Sequence, residues 1–427
     1  MRRSESSGPS MKLIYHGFYY LISLFCALQC LQRANSGRNF RNQYKQYEAD
    51  TNSCTAGVIV VDSDNIKKTT HVFRESAAGL HLRKDVVKQD RALANEIHEV
   101  IFAVKERNLD KLTQFLYDVS DPASKNYGMH KTRKEIFDLT SNLESRDAII
   151  KYVLDAGATI ISESLYSEFI TAQAPISLWE KFFNAEFFTF HHEHMSSGIV
   201  SKIARAEDYS IPLELNGHVA SVFQTIQMPM TISGTPIISP VIIANFTGNI
   251  ISNAVSGHVT PSLLNQFYNI NSNTGNKNST QAVFETNSQT LGILDLSIFQ
   301  QQFSIPSQTA PTMIGSVAIE SGCSVNLCVE ANLDIQYLTA ISQKSPTTFW
   351  YTSLNFASWL LAVANTSNPP LVISISYGSE ETTVSQSEFS AFDVQVQKLG
   401  AMGVTVIAAS GGNMQFIIRK FTVLIIR

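Results

Sequence analysis

From Pro369 the chain runs through an apolar stretch ending in Ser376-Tyr377-Gly378. A helix pattern follows, with Phe389, Phe392, Val396 and Leu399 on one face and Gly400 and Gly403 at its close, and then a second apolar stretch, Val404 to Ala409. Strand, helix and strand on links this short lie side by side in one sheet, and such crossovers are nearly always right-handed. The order predicts an open, doubly wound parallel α/β sheet covered by helices. Thr290 to Leu296, with Asp295 near its end, reads as a further buried strand of that sheet. A strand-end Asp can support a catalytic His, but no His follows in a suitable motif, so Asp295 is expected to cap the strand or line a cleft.

A second constraint lies in Glu330-Ala-Asn-Leu-Asp334-Ile-Gln-Tyr-Leu338. At helical period Glu330, Asp334, Tyr337, Leu338 and Ile341 share one face. Two acids at that spacing are most often an exposed face. Here they share a stripe with apolar residues that favour burial, and desolvation and like charge both raise a carboxyl's proton affinity. One acid then keeps its proton near about pH 4 to 6 while the other serves as base.

Upstream, His98 to Val104 reads as a strand and Leu109 to Tyr117 as a helix. Ser120 to Ser124 is a turn, and Arg146 to Asp155 is a helix closed at Gly157. Ala158 to Ile161 and Phe169 to Ala172 are strands, Leu178 to Ala185 a helix and Phe187 to Phe190 a strand. That succession predicts an α+β domain of the ferredoxin-like, split βαβ type. His191-His192-Glu193-His194 invites a metal reading, but no distant acid completes a ligand set, so a solvated loop and no metal site are expected.

At 427 residues and 44% hydrophobic the chain suffices for two cores. A net charge of -4 and the absence of a long Lys/Arg run argue against a nucleic-acid partner. Met11-Lys12, the apolar stretch Leu13 to Leu31 and the small-residue exit to Ser36 read as a secretory signal over 1–36, with a retained membrane anchor as the alternative. Cleavage would leave no membrane attachment and would remove Cys26 and Cys30. Cys54 would remain, together with Cys323 and Cys328, which could close a small loop before Glu330. Asn245, Asn278 and Asn365 head glycosylation sequons that suit the secretory route, to a lysosomal or extracellular destination.

The Glu-Ala-Asn-Leu-Asp-Ile-Gln-Tyr helix resembles the signature helix of the sedolisin family of serine-carboxyl peptidases, which includes tripeptidyl-peptidase I-like enzymes. The resemblance makes Glu330 the general base for a serine nucleophile and Asp334 its partner, in peptide-bond hydrolysis at acid pH. Ser120-Asp-Pro-Ala-Ser-Lys-Asn-Tyr-Gly128 resembles a turn of the family's activation domain, which covers the cleft and is removed by autocleavage. Val259 to Tyr268 resembles the start of the mature catalytic domain, with Thr260 a cap and Pro261 the first helical residue. By the same resemblance Ser376, Tyr377 and Gly378 line the substrate cleft.

The implied layout is a signal over 1–36, a linker over 37–85, an activation prodomain over 86–226 and an activation linker over 227–257. Residues 258–413 would be the first half of a subtilisin-like peptidase domain, and 414–427 match nothing in the family. Departures accompany the resemblance. Ala409-Ser-Gly-Gly412-Asn413 stands where the family has Ala-Ser-Gly-Asp-Ser-Gly, so Gly412 replaces the Asp of the oxyanion hole, and no Gly-Thr-Ser triplet carries a nucleophile. The expectation is a C-terminally incomplete chain, inactive by itself, without the family's calcium site or any other cofactor. Its partners would be peptide or protein substrates and its own prodomain as inhibitor. The alternative is a non-catalytic, propeptide-like inhibitor or binding protein.

Overall fold

Strand β3, Ile97–Val104, decides how the first half of the molecule is put together, because both of its faces are buried. Val100, Phe102 and Val104 point one way, onto Trp179 and Phe183, while Ile101 and Ala103 point the other way, into a core shared with residues far downstream. The alternation is the two-residue period of a strand. In the first core Trp179 stacks on Phe183 with ring centres 5.5 Å apart and donates its indole N–H to His98 O at 2.8 Å.

The computed structural model describes residues 70–77, 83, 85–193, 200–229, 259–286, 289–315, 319–320, 328–352, 356–378 and 384–409. In the first half, β1 (His71–Ser76), β2 (Val86–Arg91) and β3 precede helices α1 (Leu109–Ser120), α2 (Arg133–Thr140) and α3 (Leu143–Asp155). Strands β4 (Thr159–Glu163) and β5 (Phe169–Pro175), helix α4 (Ile176–Phe183), and strands β6 (Phe187–Glu193), β7 (Val200–Ala206), β8 (Asp208–Pro212) and β9 (Val219–Phe223) follow. A four-stranded antiparallel sheet has the order β4-β5-β3-β9, a three-stranded sheet the order β2-β6-β7, and β1 pairs with β8.

Three sequence expectations change here. Phe187 to Phe190 closes the split βαβ succession read from the sequence, which would seat it in one sheet with the strand at His98 to Val104. That place is taken by β9, whose Val219 and Val222 enter the core, while β6 pairs with its chain neighbour β7 and with β2. His191-His192-Glu193 is strand rather than loop, and His192 is buried with Nε2 3.3 Å from Asp85 Oδ2; His194 lies outside the described residues. Within the stretch read as linker, 71–76 is β1.

The second half is a five-stranded sheet, every pairing parallel, in the order β12-β14-β10-β15-β16. These strands are β10 (Gln281–Glu285), β12 (Thr312–Ile314), β14 (Thr347–Tyr351), β15 (Val372–Ile375) and β16 (Thr405–Ala408), with β11 (Leu291–Gly292) and β13 (Ile319–Glu320) paired beside them. The helices are α5 (Pro261–Phe267), α6 (Ile293–Gln302), α7 (Val329–Ile341), α8 (Phe356–Ala364) and α9 (Gln386–Ala401). Both faces of the sheet are covered: Val283 and Phe349 pack with Leu296, Ala331 and Ile335 of α6 and α7, whereas Ala282, Phe284 and Ile373 pack with Trp359 of α8 and Val396 of α9. The predicted strand-helix-strand from Pro369 to Ala409 is present as β15, α9 and β16. No described helix is long and apolar enough to cross a membrane.

Thr290 to Leu296 is a strand only at Leu291–Gly292 and then turns into α6. Leu296 and Phe299 are buried three apart while Leu294 and Ile298 are exposed, the spacing of a helix on a core and not of a strand. Gly292 permits the turn, since a Cβ there would lie 2.3 Å from Asp295 Oδ2.

Helix α9 opens on a capping box, Ser385 Oγ accepting from Glu388 N while Glu388 accepts from Ser385 N. It closes on Gly403 at φ +86°, where a Cβ would meet the His130 ring at 2.7 Å. Gly403→Ala is therefore expected to destabilise the protein by about 1 to 3 kcal/mol, combining the left-handed penalty with displacement of His130. Chemical denaturation checks this, and an unchanged midpoint contradicts it.

Candidate active site

In open parallel sheets, groups at the carboxyl ends of neighbouring strands converge on one crevice. Here β10 ends at Glu285 and β15 runs on into Ser376 and Tyr377. By strand alternation Glu285 follows Val283 to the side on which α7 lies. Glu285 is 0% exposed.

Helix α7 brings the other two acids. Its first turn is tied down by Gln289, whose Oε1 accepts from Glu330 N at 3.2 Å and Ala331 N at 3.4 Å. Asn332 fixes it laterally, accepting from Gly292 N at 3.0 Å and donating to Asp295 Oδ2 at 3.0 Å. Asp295 thus belongs to the first turn of α6 and anchors α7, rather than ending a strand. Cys328 stands at the N-cap and is disulfide-bonded; Cys323 lies outside the described residues.

The expected stripe of Glu330, Asp334, Tyr337, Leu338 and Ile341 is half-buried throughout, and the fully buried face of α7 is the adjoining one, with Ala331, Ile335 and Ala340. Ser376 Oγ donates to Asp334 Oδ2 at 2.7 Å, and Tyr377 OH donates to Glu285 Oε2 at 2.6 Å. The Glu285 and Asp334 carboxyls lie close enough to influence each other's ionisation. Burial pushes the Asp334 carboxyl from 3.8 up to about 7, with Glu330 adding like charge and Ser376 and Glu285 pulling the other way. Burial holds Glu285 well above the carboxylate range, reinforced by Asp334 and only partly offset by Tyr377. Glu330 is raised by burial, with the nearby Ser376 side chain pulling the other way. Both carboxyls hold protons more tightly than free ones, and Glu285, the more deeply buried, is raised the further.

Glu285 was not singled out from the sequence. Its only signal is an acid closing Gln281-Ala-Val-Phe, a stretch too short and mixed to read as a central strand. Ser376 and Tyr377, placed in the cleft by resemblance, turn their hydroxyls onto the acids, and Gly378 is exposed beyond them. Gly412 and Asn245 fall outside the described residues, while Asn278 and Asn365 are exposed. Among the described residues no group of His, Cys, Asp and Glu is placed to hold a metal ion. The arrangement offers one buried and two half-buried acids whose raised proton affinities suit them to hold and exchange protons.

Residues 84–228 match the family described as Pro-kumamolisin, activation domain. Physarolisin of Physarum polycephalum is 28% identical over 345 residues, 77% of this chain and 56% of the relative. Tripeptidyl-peptidase 1 of Dictyostelium discoideum is 24% identical over 349 residues, 73% and 56% of the two chains. The human tripeptidyl-peptidase 1 is 27% identical over 340 residues, 77% and 58%. The matched region spans little more than half the length of each of these relatives.

Proposed function

From a chain that carries a pro-kumamolisin activation domain and is a homologue of sedolisin-family peptidases, we propose that residues 259–409 hold the acid-base half of a serine-carboxyl peptidase site. Glu330 is the general base, Asp334 its partner, and Glu285 the buried acid that keeps a proton on the pair. The first half is read as a ferredoxin-like prodomain and the second as part of a subtilisin-like domain, reached by the secretory route. A serine hydroxyl attacking a peptide carbonyl would pass its proton to Glu330 as the C–O bond forms. The proton would then go to the departing amine as the C–N bond breaks. The 427 residues hold no Gly-Thr-Ser triplet to supply that hydroxyl, so by themselves they are proposed to give no turnover.

The observation that carries the reading is the convergence of Glu285, Asp334 and Ser376 at adjoining strand ends against α7. Carboxyl-carbon NMR titration tests it. Asp334 should titrate near 7. Tyr377→Phe removes the hydrogen bond that favours ionised Glu285 and should raise the titration of Glu285 further. Titration of Asp334 in the ordinary range near 3.8 contradicts the reading.

A further inference from the structure

Helix α9 is gripped by the first half at both ends. At its start the Glu75 carboxylate of β1 accepts from Ser387 N at 3.3 Å, and Gln227 Nε2 donates to Ser387 Oγ at 3.3 Å. First-turn amides have no carbonyl within the helix to meet, so the first half serves as part of the cap.

The last turn is held differently. Lys398 is 0% exposed, its ammonium 2.5 Å from Glu106 Oε2 and bonded to Glu168 Oε1. Glu168 Oε2 in turn accepts from an Arg133 guanidinium N–H at 2.7 Å. The cation belongs to the second half, whereas Glu106 follows β3, Glu168 precedes β5 and Arg133 opens α2. Around this cluster Thr113 Oγ1 donates to Gln397 Oε1 at 2.6 Å, and Lys131 N donates to Ala401 O at 3.0 Å. Beneath it Ile101, Leu116 and Phe223 of the first half share a core with Val396 and Leu399 of α9.

A lysine is almost never wholly buried unless paired. Both acids that pair Lys398 come from the other half of the molecule, so its burial exists only while the halves are docked. Removing one member of a buried ionic set leaves an uncompensated charge, which costs far more than the set itself contributes. Apolar contact holds the halves together, while the ionic set penalises any wrong partner.

We propose that Lys398 is the residue by which the α/β half recognises its activation domain, and that the face of α9 around it fits a partner presenting two buried carboxylates to one ammonium. This recognition is independent of the peptide-bond chemistry proposed above, and the two can fail separately.

The test uses the full chain with a protease recognition sequence inserted between residues 230 and 258 and cut after purification, which turns the contact into a measurable equilibrium. The cut halves should co-migrate, and Lys398→Met should weaken their association at least about a hundredfold at pH 7. Adding Glu106→Gln to Lys398→Met should restore at least about tenfold, because it removes the acid left unpaired. A Lys398→Met effect within about threefold overturns the proposal. So does a large effect that Glu106→Gln fails to relieve, since that pattern reports lost packing alone. Glu168→Gln, measured in parallel, should weaken association at least about tenfold, and an unchanged value there overturns the proposal even if Lys398→Met fails to fold.

Discussion

Heated at pH 7.5, the Asp334→Asn protein should melt several degrees above the wild type, and the difference should vanish near pH 4. Burial moves the Asp334 carboxyl from 3.8 to about 7, so the folded state binds a proton more tightly than the unfolded chain. A group raised in this way contributes stability below its unfolded value and loses it as pH climbs through the folded one. The window therefore runs from about pH 4 to pH 7. At about 1.4 kcal/mol per pH unit the interval amounts to about 4 kcal/mol, of which residual solvent access removes a share. Asparagine keeps an acceptor for Ser376 and cannot ionise. Glu285 and Glu330 are raised as well and tilt the wild-type curve the same way, so the comparison with Asp334→Asn isolates one contribution. Parallel stability curves for the two proteins from pH 4 to 7.5 contradict the assignment of burial to Asp334.

The parts of this site legible in the sequence were those written in local periodicity. Glu330 and Asp334 stand four apart on α7, and the crossover from Pro369 to Ala409 forms a parallel βαβ unit whose apolar runs flank a capped helix of 16 residues. Glu285 escaped because its strand, QAVFE, has no patterned helix beside it in sequence and pairs only with segments far downstream, around 347–351 and 372–375. A central parallel strand is defined by such partners, which no local window contains. The same holds for β9, which displaces Phe187 to Phe190 beside β3. Thr290 to Leu296 failed for the opposite reason: an apolar run of that length fits strand or helix, and Gly292 with the Asn332–Asp295 contact decides for a helix from Ile293 onward. Lys398 also gave no signal, since its setting as the last-turn cation of an amphipathic helix is that of an exposed residue.

Glu330→Gln should remove about 10² to 10⁴ of kcat/KM on peptide substrates at pH 4, in a protein whose residues after Ala408 are replaced by the corresponding C-terminal part of physarolisin. The substitution keeps shape and hydrogen-bonding length and removes only the capacity to take a proton. Substrate binding should therefore be spared, and the loss should fall on kcat. That loss corresponds to about 3 to 5 kcal/mol of transition-state stabilisation. On the proposed assignment Asp334 and Glu285 would bear on the same step through Glu330, because Glu285, raised well above the carboxylate range by burial, would stay neutral and add no negative charge where Glu330 takes up and gives back a proton. Glu285→Gln should accordingly act on the pH profile of kcat more than on its maximum, because a neutral acid and a neutral amide carry the same charge. Activity of the Glu330→Gln protein within about tenfold of its parent would remove Glu330 from the role of base. The crevice at the ends of β10 and β15 would then remain a buried acid cluster without assigned chemistry.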